Sequence, residues 1–141
     1  MIPTVYIKFL SPLAHVPTRA REYDAGFDLY STEDFTLQPG ERRLFKLGLS
    51  MAIPAGYYGR ISPRSGRALK EGLDVMAGTV DSGYLQEIGV VLINLGQSLI
   101  DIYAGHKIAQ MILQRCESVQ FQSVDELPGS DRGGGFGSTG S

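Results

Sequence analysis

The chain has no tryptophan and a single cysteine, Cys116, in 141 residues, so no internal disulfide can form. No histidine lies near Cys116 in sequence, which leaves a free thiol rather than an activated nucleophile. Two histidines and one cysteine are too few for an all-protein zinc site. No apolar run approaches the ~20 residues of a membrane span. The basic start and apolar stretch of a secretory signal are missing too, so a cytoplasmic protein, or one inside a host cell if viral, is expected. Neither sign of charge dominates: 13 Lys and Arg face 15 Asp and Glu, for a net charge of −2. That balance excludes a general nucleic-acid or membrane-surface binder. An anionic substrate must therefore be held by local geometry.

What the sequence does have is apolar residues, at 43%, and glycine, with 18 in all and six of them within the last thirteen positions. The length suits one domain of roughly 100–150 residues. Short apolar stretches separated by turn residues predict strands over 5–10, 27–31, 44–53, 57–63, 73–81, 87–95, 99–103, 108–115 and 119–124. Phe45, Leu47, Leu49, Met51 and Ile53 alternate with Lys46, Gly48, Ser50 and Ala52, the period of a strand with one buried face. Residues 88–93 are apolar on both faces apart from Gly89, which predicts burial deep in an assembly. Only 66–71 reads as helix, with Ser65 as its cap and Gly72 as its stop. Many strands and almost no helix give an all-β fold, a barrel or a sandwich. A domain over 1–127 is followed by a Gly-rich arm over 128–141, too poor in apolar surface to order itself.

Five segments carry residues suited to chemistry. Asp24-Ala25-Gly26-Phe27-Asp28-Leu29 sets two carboxylates around a glycine at a strand start, a pattern equally open to a solvated turn. Gly59-Arg60-Ile61-Ser62-Pro63-Arg64-Ser65-Gly66 runs from a strand into the helix, where free N–H groups, a hydroxyl and a guanidinium suit an anion. Ala77-Gly78-Thr79-Val80-Asp81-Ser82-Gly83-Tyr84 reads as a strand entering a hairpin turn, where an isolated Asp81 before Ser-Gly is most often a turn former and Tyr84 a cross-strand packing residue. Gly105-His106-Lys107-Ile108-Ala109-Gln110 is a turn into a strand whose apolar pattern Gln110 interrupts. The arm holds one Arg and one Phe four apart among glycines, then two hydroxyls. That suits a phosphate and a ring better than RNA, which needs many such groups.

In this order and spacing the five segments resemble the homotrimeric deoxyuridine triphosphatases, the dUTPases, from Asp24 to Gly140. The matching motifs are A-G-F-D-L (25–29), G-R-I-S-P-R-S-G (59–66), A-G-T-V-D-S-G-Y (77–84), G-H-K-I-A-Q (105–110) and R-G-G-G-F-G-S-T-G (132–140). Three details depart from the family pattern. His106-Lys107 stands for the usual Asp-Arg, Leu85-Gln86-Glu87 for x-Gly-Glu, and the step from Arg132 to Phe136 is one residue short.

The resemblance implies a distorted β-barrel, the jelly roll or β-clip of the family, and a homotrimer with active sites shared between chains. It implies hydrolysis of dUTP to dUMP and pyrophosphate, with Mg²⁺ as cofactor. By that match Asp81 is the base that activates water, Asp28 holds the metal through coordinated waters, and Gln110 supports the uracil pocket. Arg64, Ser65 and Gly66 cradle phosphate. Gly78, Thr79 and Val80 read the uracil edge, and Tyr84 lies against the deoxyribose. Arg132, Phe136, Gly137, Ser138 and Thr139 close over a neighbour's site. A dCTP deaminase of the same fold is the nearest rival. It needs a glutamate where Val91 stands and usually has Trp at Tyr84. The other alternative is a repurposed binding protein, and a second protein partner stays open.

Overall fold

Ten strands and one helix make up the regular structure of the described residues, 1–137 and 140, in a computed structural model of the chain. In chain order they are β1 (Tyr6–Phe9), β2 (Phe27–Tyr30), β3 (Phe35–Leu37), β4 (Arg42–Ala52), β5 (Tyr57–Ser62), α1 (Ser65–Glu71), β6 (Leu73–Met76), β7 (Thr79–Asp81), β8 (Glu87–Asn94), β9 (Ile100–Ile102) and β10 (Lys107–Arg115). One four-stranded sheet has the order β1-β4-β8-β6 and a second the order β2-β10-β5-β7, with β3 and β9 forming a two-stranded ribbon. The pairings within all three are antiparallel. The fold is therefore mostly β with one short helix, as the turn-separated apolar stretches imply.

Alternation supplies the core. Phe45, Leu47, Leu49 and Met51 of β4 and Ile88, Val90 and Leu92 of β8 turn inward to meet Leu29, Ile61, Val80, Ile108 and Met111 of the second sheet. Each fully buried Leu, Ile or Phe contributes roughly 1.5–3 kcal/mol by leaving water. Gly48 and Ser50, expected on the open face of β4, are buried as well. The chain after β1 folds over them, Leu10 and Ser11 both donating their N–H to the Gly48 carbonyl. On β8 only one face is buried. Val91 and Ile93 face outward half-exposed, with Leu44 and Met76 beside Val91 in register.

Four sequence expectations need correction. The stretch 73–81 is two strands, because Ala77 (φ 61°) and Gly78 (φ 113°) break it. That break carries the chain from β8's sheet to β5's sheet. The turn after β7 therefore joins strands of different sheets and is not a paired hairpin. Residues 119–124 form no strand, having no sheet edge beside them in the single chain, and Phe121 is 95% exposed. Ser65 is the first helical residue rather than the cap, which is Arg64, whose side chain makes no capping hydrogen bond. The ribbon strand β3 escapes the pattern, since three residues between Asp34 and Gln38 are too few to show alternation. Gly72 does end α1, in the left-handed region (φ 78°), with its N–H on the Ala68 and Arg67 carbonyls. A Cβ there would stand 2.6 Å from the Gly96 nitrogen. No helix among the described residues is long and apolar enough to cross a membrane.

Candidate active site

β10 lies between β2 and β5, so Gln110 stands opposite Asp28 on one side and Ser62 on the other. This register brings three of the five segments together. They line a cavity of about 460 Å³ that includes Asp24, Gly26, Asp28, Arg64, Ser65, Gly66 and Gln110. At its base the Arg64 Nε donates to Asp28 Oδ1 at 2.9 Å, with the Asp28 side chain 15% exposed. Lys107 Nζ approaches the other oxygen at 3.5 Å. One carboxylate thus faces two cations. Because Nε is committed, the two Nη groups of Arg64 have no partner among the described residues and remain a fork for a second anion.

Gln110, a residue type that usually faces the surface where it interrupts an apolar strand pattern, is half-buried and donates from Nε2 to the Pro63 carbonyl at 2.9 Å. A Cβ on Gly26 would sit 1.9 Å from Gln110 Oε1, so the glycine of this segment makes room for the amide. Ser65 is exposed, its hydroxyl makes no hydrogen bond among the described residues, and the space in front of Gly66 is open. The loop from Pro63 to Gly66 is therefore fixed behind and unencumbered in front. α1 is held in turn by Arg67, which bonds Glu71 and the Asp101 carbonyl.

The segment over 77–84 lies apart. Thr79, Val80, Asp81 and Tyr84 line another cavity, of about 450 Å³, together with Leu44, Lys46, Gln86, Glu87, Ile88 and Gly89. The two cavities share no residue. β7 is an edge strand, paired with β5 on one side, so backbone groups on its other side are open to a ligand. Gly78 is needed here for two reasons. Its φ is positive, and a Cβ would lie 2.6 Å from the Ile61 carbonyl oxygen. Tyr84 N–H closes the turn on the Asp81 carbonyl at 3.1 Å, and the Tyr84 hydroxyl donates to the Glu87 carbonyl at 2.9 Å. Asp81 itself is exposed.

Beyond Arg115 no described residue belongs to a strand, and all of the described ones are exposed. Arg132 donates to its neighbour's carbonyl, that of Gly133, and Phe136 is exposed with φ 50°. Gly137 has φ 82°, while Ser138 and Thr139 lie outside the described residues. In the single chain none of the arm's described residues lines either cavity. His106 holds local structure, accepting Ser31 N–H on its carbonyl and Tyr103 N–H on Nδ1. Sequence reasoning assigned no role to Lys107 or Glu87. The signal for Lys107 was its place in the Gly105–Gln110 segment, whereas that for Glu87 arises only from tertiary contact.

Among the described residues no three His, Cys, Asp or Glu side chains cluster as a metal cage. Asp28, at the cavity wall with one oxygen only loosely approached by Lys107, suits a hydrated cation whose other ligands come from a bound anion.

The dUTPase family model matches residues 13–140. The deoxyuridine 5'-triphosphate nucleotidohydrolase of rabbitpox virus (strain Utrecht) is 48% identical over 128 residues, covering 90% of this chain and 86% of the viral protein. The mouse (Mus musculus) protein of that name is 43% identical over 132 residues, covering 93% and 82%. Among solved structures, the dUTPase of Staphylococcus bacteriophage 80alpha with dUPNHPP superposes with a TM-score of 0.93 at 29% identity, over 98% of this chain and 99% of that one. A variant dUTPase from phage phi11 of S. aureus, described with a coordinated structural Mg(II) ion, gives a TM-score of 0.84 at 26% identity, over 89% and 99%.

Proposed function

The chain belongs to the dUTPase family and hydrolyses dUTP, and from that premise we propose how its residues do so. The site is shared between three copies. Each site takes the cavity of Asp28, Arg64 and Gln110 from one chain, the Asp81 turn from a second, and the arm over 128–141 from a third. The domain over 1–127 forms the trimer, with the apolar outer face of β8 among its contacts. The observation that carries this reading is the cavity where Asp28, Arg64 and Gln110 meet beneath the open Ser65 and Gly66.

Water is a poor nucleophile, and Asp81 takes its proton as it attacks the α-phosphorus in line, a contribution of roughly 10²–10⁴-fold. No covalent intermediate is required. Pyrophosphate leaves and dUMP remains, the form that feeds thymidylate synthesis while uracil is kept out of DNA. The Nη fork of Arg64 and the Ser65 hydroxyl hold phosphate oxygens, with the Gly66 N–H. Asp28 keeps Arg64 oriented through Nε and holds Mg²⁺ through its waters. A Mg²⁺ ion held by Asp28 would supply positive charge to offset that of the pyrophosphate leaving group.

Uracil offers a carbonyl, an N–H and a carbonyl in a row. The unpaired edge of β7, with Gly78, Thr79 and Val80, pairs with these as a neighbouring strand would. Cytosine leaves those groups unmatched, a discrimination worth orders of magnitude. Tyr84 lies against the deoxyribose and excludes a 2′-hydroxyl. Arg132, Ser138 and Thr139 hold the γ-phosphate, while Phe136 with Gly137 covers the base, a stack of about 1–3 kcal/mol. The deaminase alternative finds no support at Val91, an apolar side chain on the outer face of β8.

A panel of the common dNTPs and UTP, with and without Mg²⁺, tests the reading. The expected result is Mg²⁺-dependent pyrophosphate release from dUTP alone. Ammonia from dCTP, or no turnover of any nucleotide, would overturn it.

A further inference from the structure

The ladder between β4 and β8 slips where the Asp81 turn enters it. Lys46 faces Gly89 and Ser50 faces Glu87, so Leu47, Gly48 and Leu49 stand opposite Ile88 alone. A bulge of this kind leaves backbone groups without a ladder partner. Gly48, in the left-handed region at φ 71°, is buried there, and its N–H has no carbonyl across the ladder. The Glu87 carboxylate supplies the missing acceptor, Oε2 receiving the Gly48 N–H at 3.0 Å. The same residue's backbone carbonyl receives the Tyr84 hydroxyl at 2.9 Å. Tyr84 is tied at its other end by its N–H to the Asp81 carbonyl. A continuous path of hydrogen bonds therefore runs from the β4 bulge through Glu87 to the tyrosine and the bend. Glu87 also lines the cavity with Asp81 and Tyr84.

We propose that Glu87 is a positioning residue for sugar selection: its carboxylate pins the start of β8 to Gly48, and its carbonyl thereby holds the Tyr84 ring where a 2′-hydroxyl would have to fit. The inference rests on the reading of Tyr84 as the ribose-facing group. Its reach matters more than its charge. Glutamine keeps an oxygen at the same distance from Gly48, whereas aspartate is one methylene short and alanine has no acceptor.

The test is the ratio of kcat/KM for dUTP to that for UTP in full-length Glu87→Gln, Glu87→Asp, Glu87→Ala and Tyr84→Ala, with thermal melts alongside. The ratio is expected to fall at least ~10-fold in Glu87→Asp and Glu87→Ala, chiefly through gain of UTP turnover, and to stay near wild type in Glu87→Gln. If Glu87→Ala does not fold, the contrast between the Asp and Gln variants decides. A wild-type ratio in Glu87→Asp while Tyr84→Ala loses selectivity would overturn the role of Glu87 alone. An unchanged ratio in Tyr84→Ala would instead overturn the reading of Tyr84 on which the proposal stands. A lower melting temperature with an unchanged ratio would reduce Glu87 to a structural tie and refute the proposal.

Discussion

Asp28 and Asp81 stand at opposite edges of one four-stranded sheet, Asp28 on β2 and Asp81 on β7. Three strand spacings of ~4.8 Å separate them across the sheet. Through β10 and β5, Asp28 is level with Ser62 while Asp81 is level with Tyr58, which adds four residues, or ~13 Å, along the strands. The two carboxylates accordingly line separate cavities that share no residue. In the proposed reading another copy brings its own Asp81 to the cavity of Asp28 and Arg64.

Removing the base tests the chemistry first. Asp81→Asn keeps the size and the turn hydrogen bonds of the backbone but cannot accept a proton from water. Its kcat is expected to fall by roughly 10²–10⁴-fold with dUTP binding, measured by calorimetry, largely intact. A near-normal kcat would remove Asp81 from the reaction.

Sharing of sites between copies predicts complementation. Asp28→Asn and Asp81→Asn, each nearly inactive alone, are unfolded, mixed in equal amounts and refolded together. Random assembly gives sites with both native carboxylates, and about a quarter of wild-type activity is expected. Activity no higher than the mean of the two separate variants would show that each chain works alone.

The arm is separable from the fold, since the strands end at Arg115 and the described residues beyond it are exposed. A chain stopped after Asp131 is expected to keep the melting temperature and the assembly seen by light scattering. Its turnover of dUTP should drop severely, because Arg132 and Phe136 are gone. Loss of assembly, or full turnover, would contradict the assigned role.

Gly26 offers a test of the cavity wall. A methyl group there would overlap Gln110 Oε1, and the amide would have to swing away from the Pro63 carbonyl. The lost hydrogen bond costs about 1 kcal/mol of stability. Displacement of the pocket wall should cost more in function, lowering kcat/KM for dUTP by ~10-fold or more. Unchanged kinetics would mean that Gln110 does not face the substrate.

Much of this was legible in the residues themselves. Alternation in β4, the stop at Gly72 and the absence of long helical periodicity fixed an all-β chain with one short helix, because burial on one face leaves a period that can be read directly. The motifs pointed to the family before any coordinates, through their joint order and spacing rather than through any one segment. Other features depended on neighbours that are remote in sequence. The break at Ala77-Gly78 looked like continuous strand, because the choice between pairing with β8 and pairing with β5 is made by partners, not by local propensity. The stretch 119–124 has strand composition but no partner within the chain. Gln110 reads as a surface residue until β2 and β5 close around it. Residue types and their order were thus enough to point to the family and to name candidate groups. Only the packed sheets decided that Asp28, Arg64 and Gln110 meet while Asp81 stands elsewhere, because strand order, unlike composition, is set by the long-range burial that the whole chain must satisfy at once.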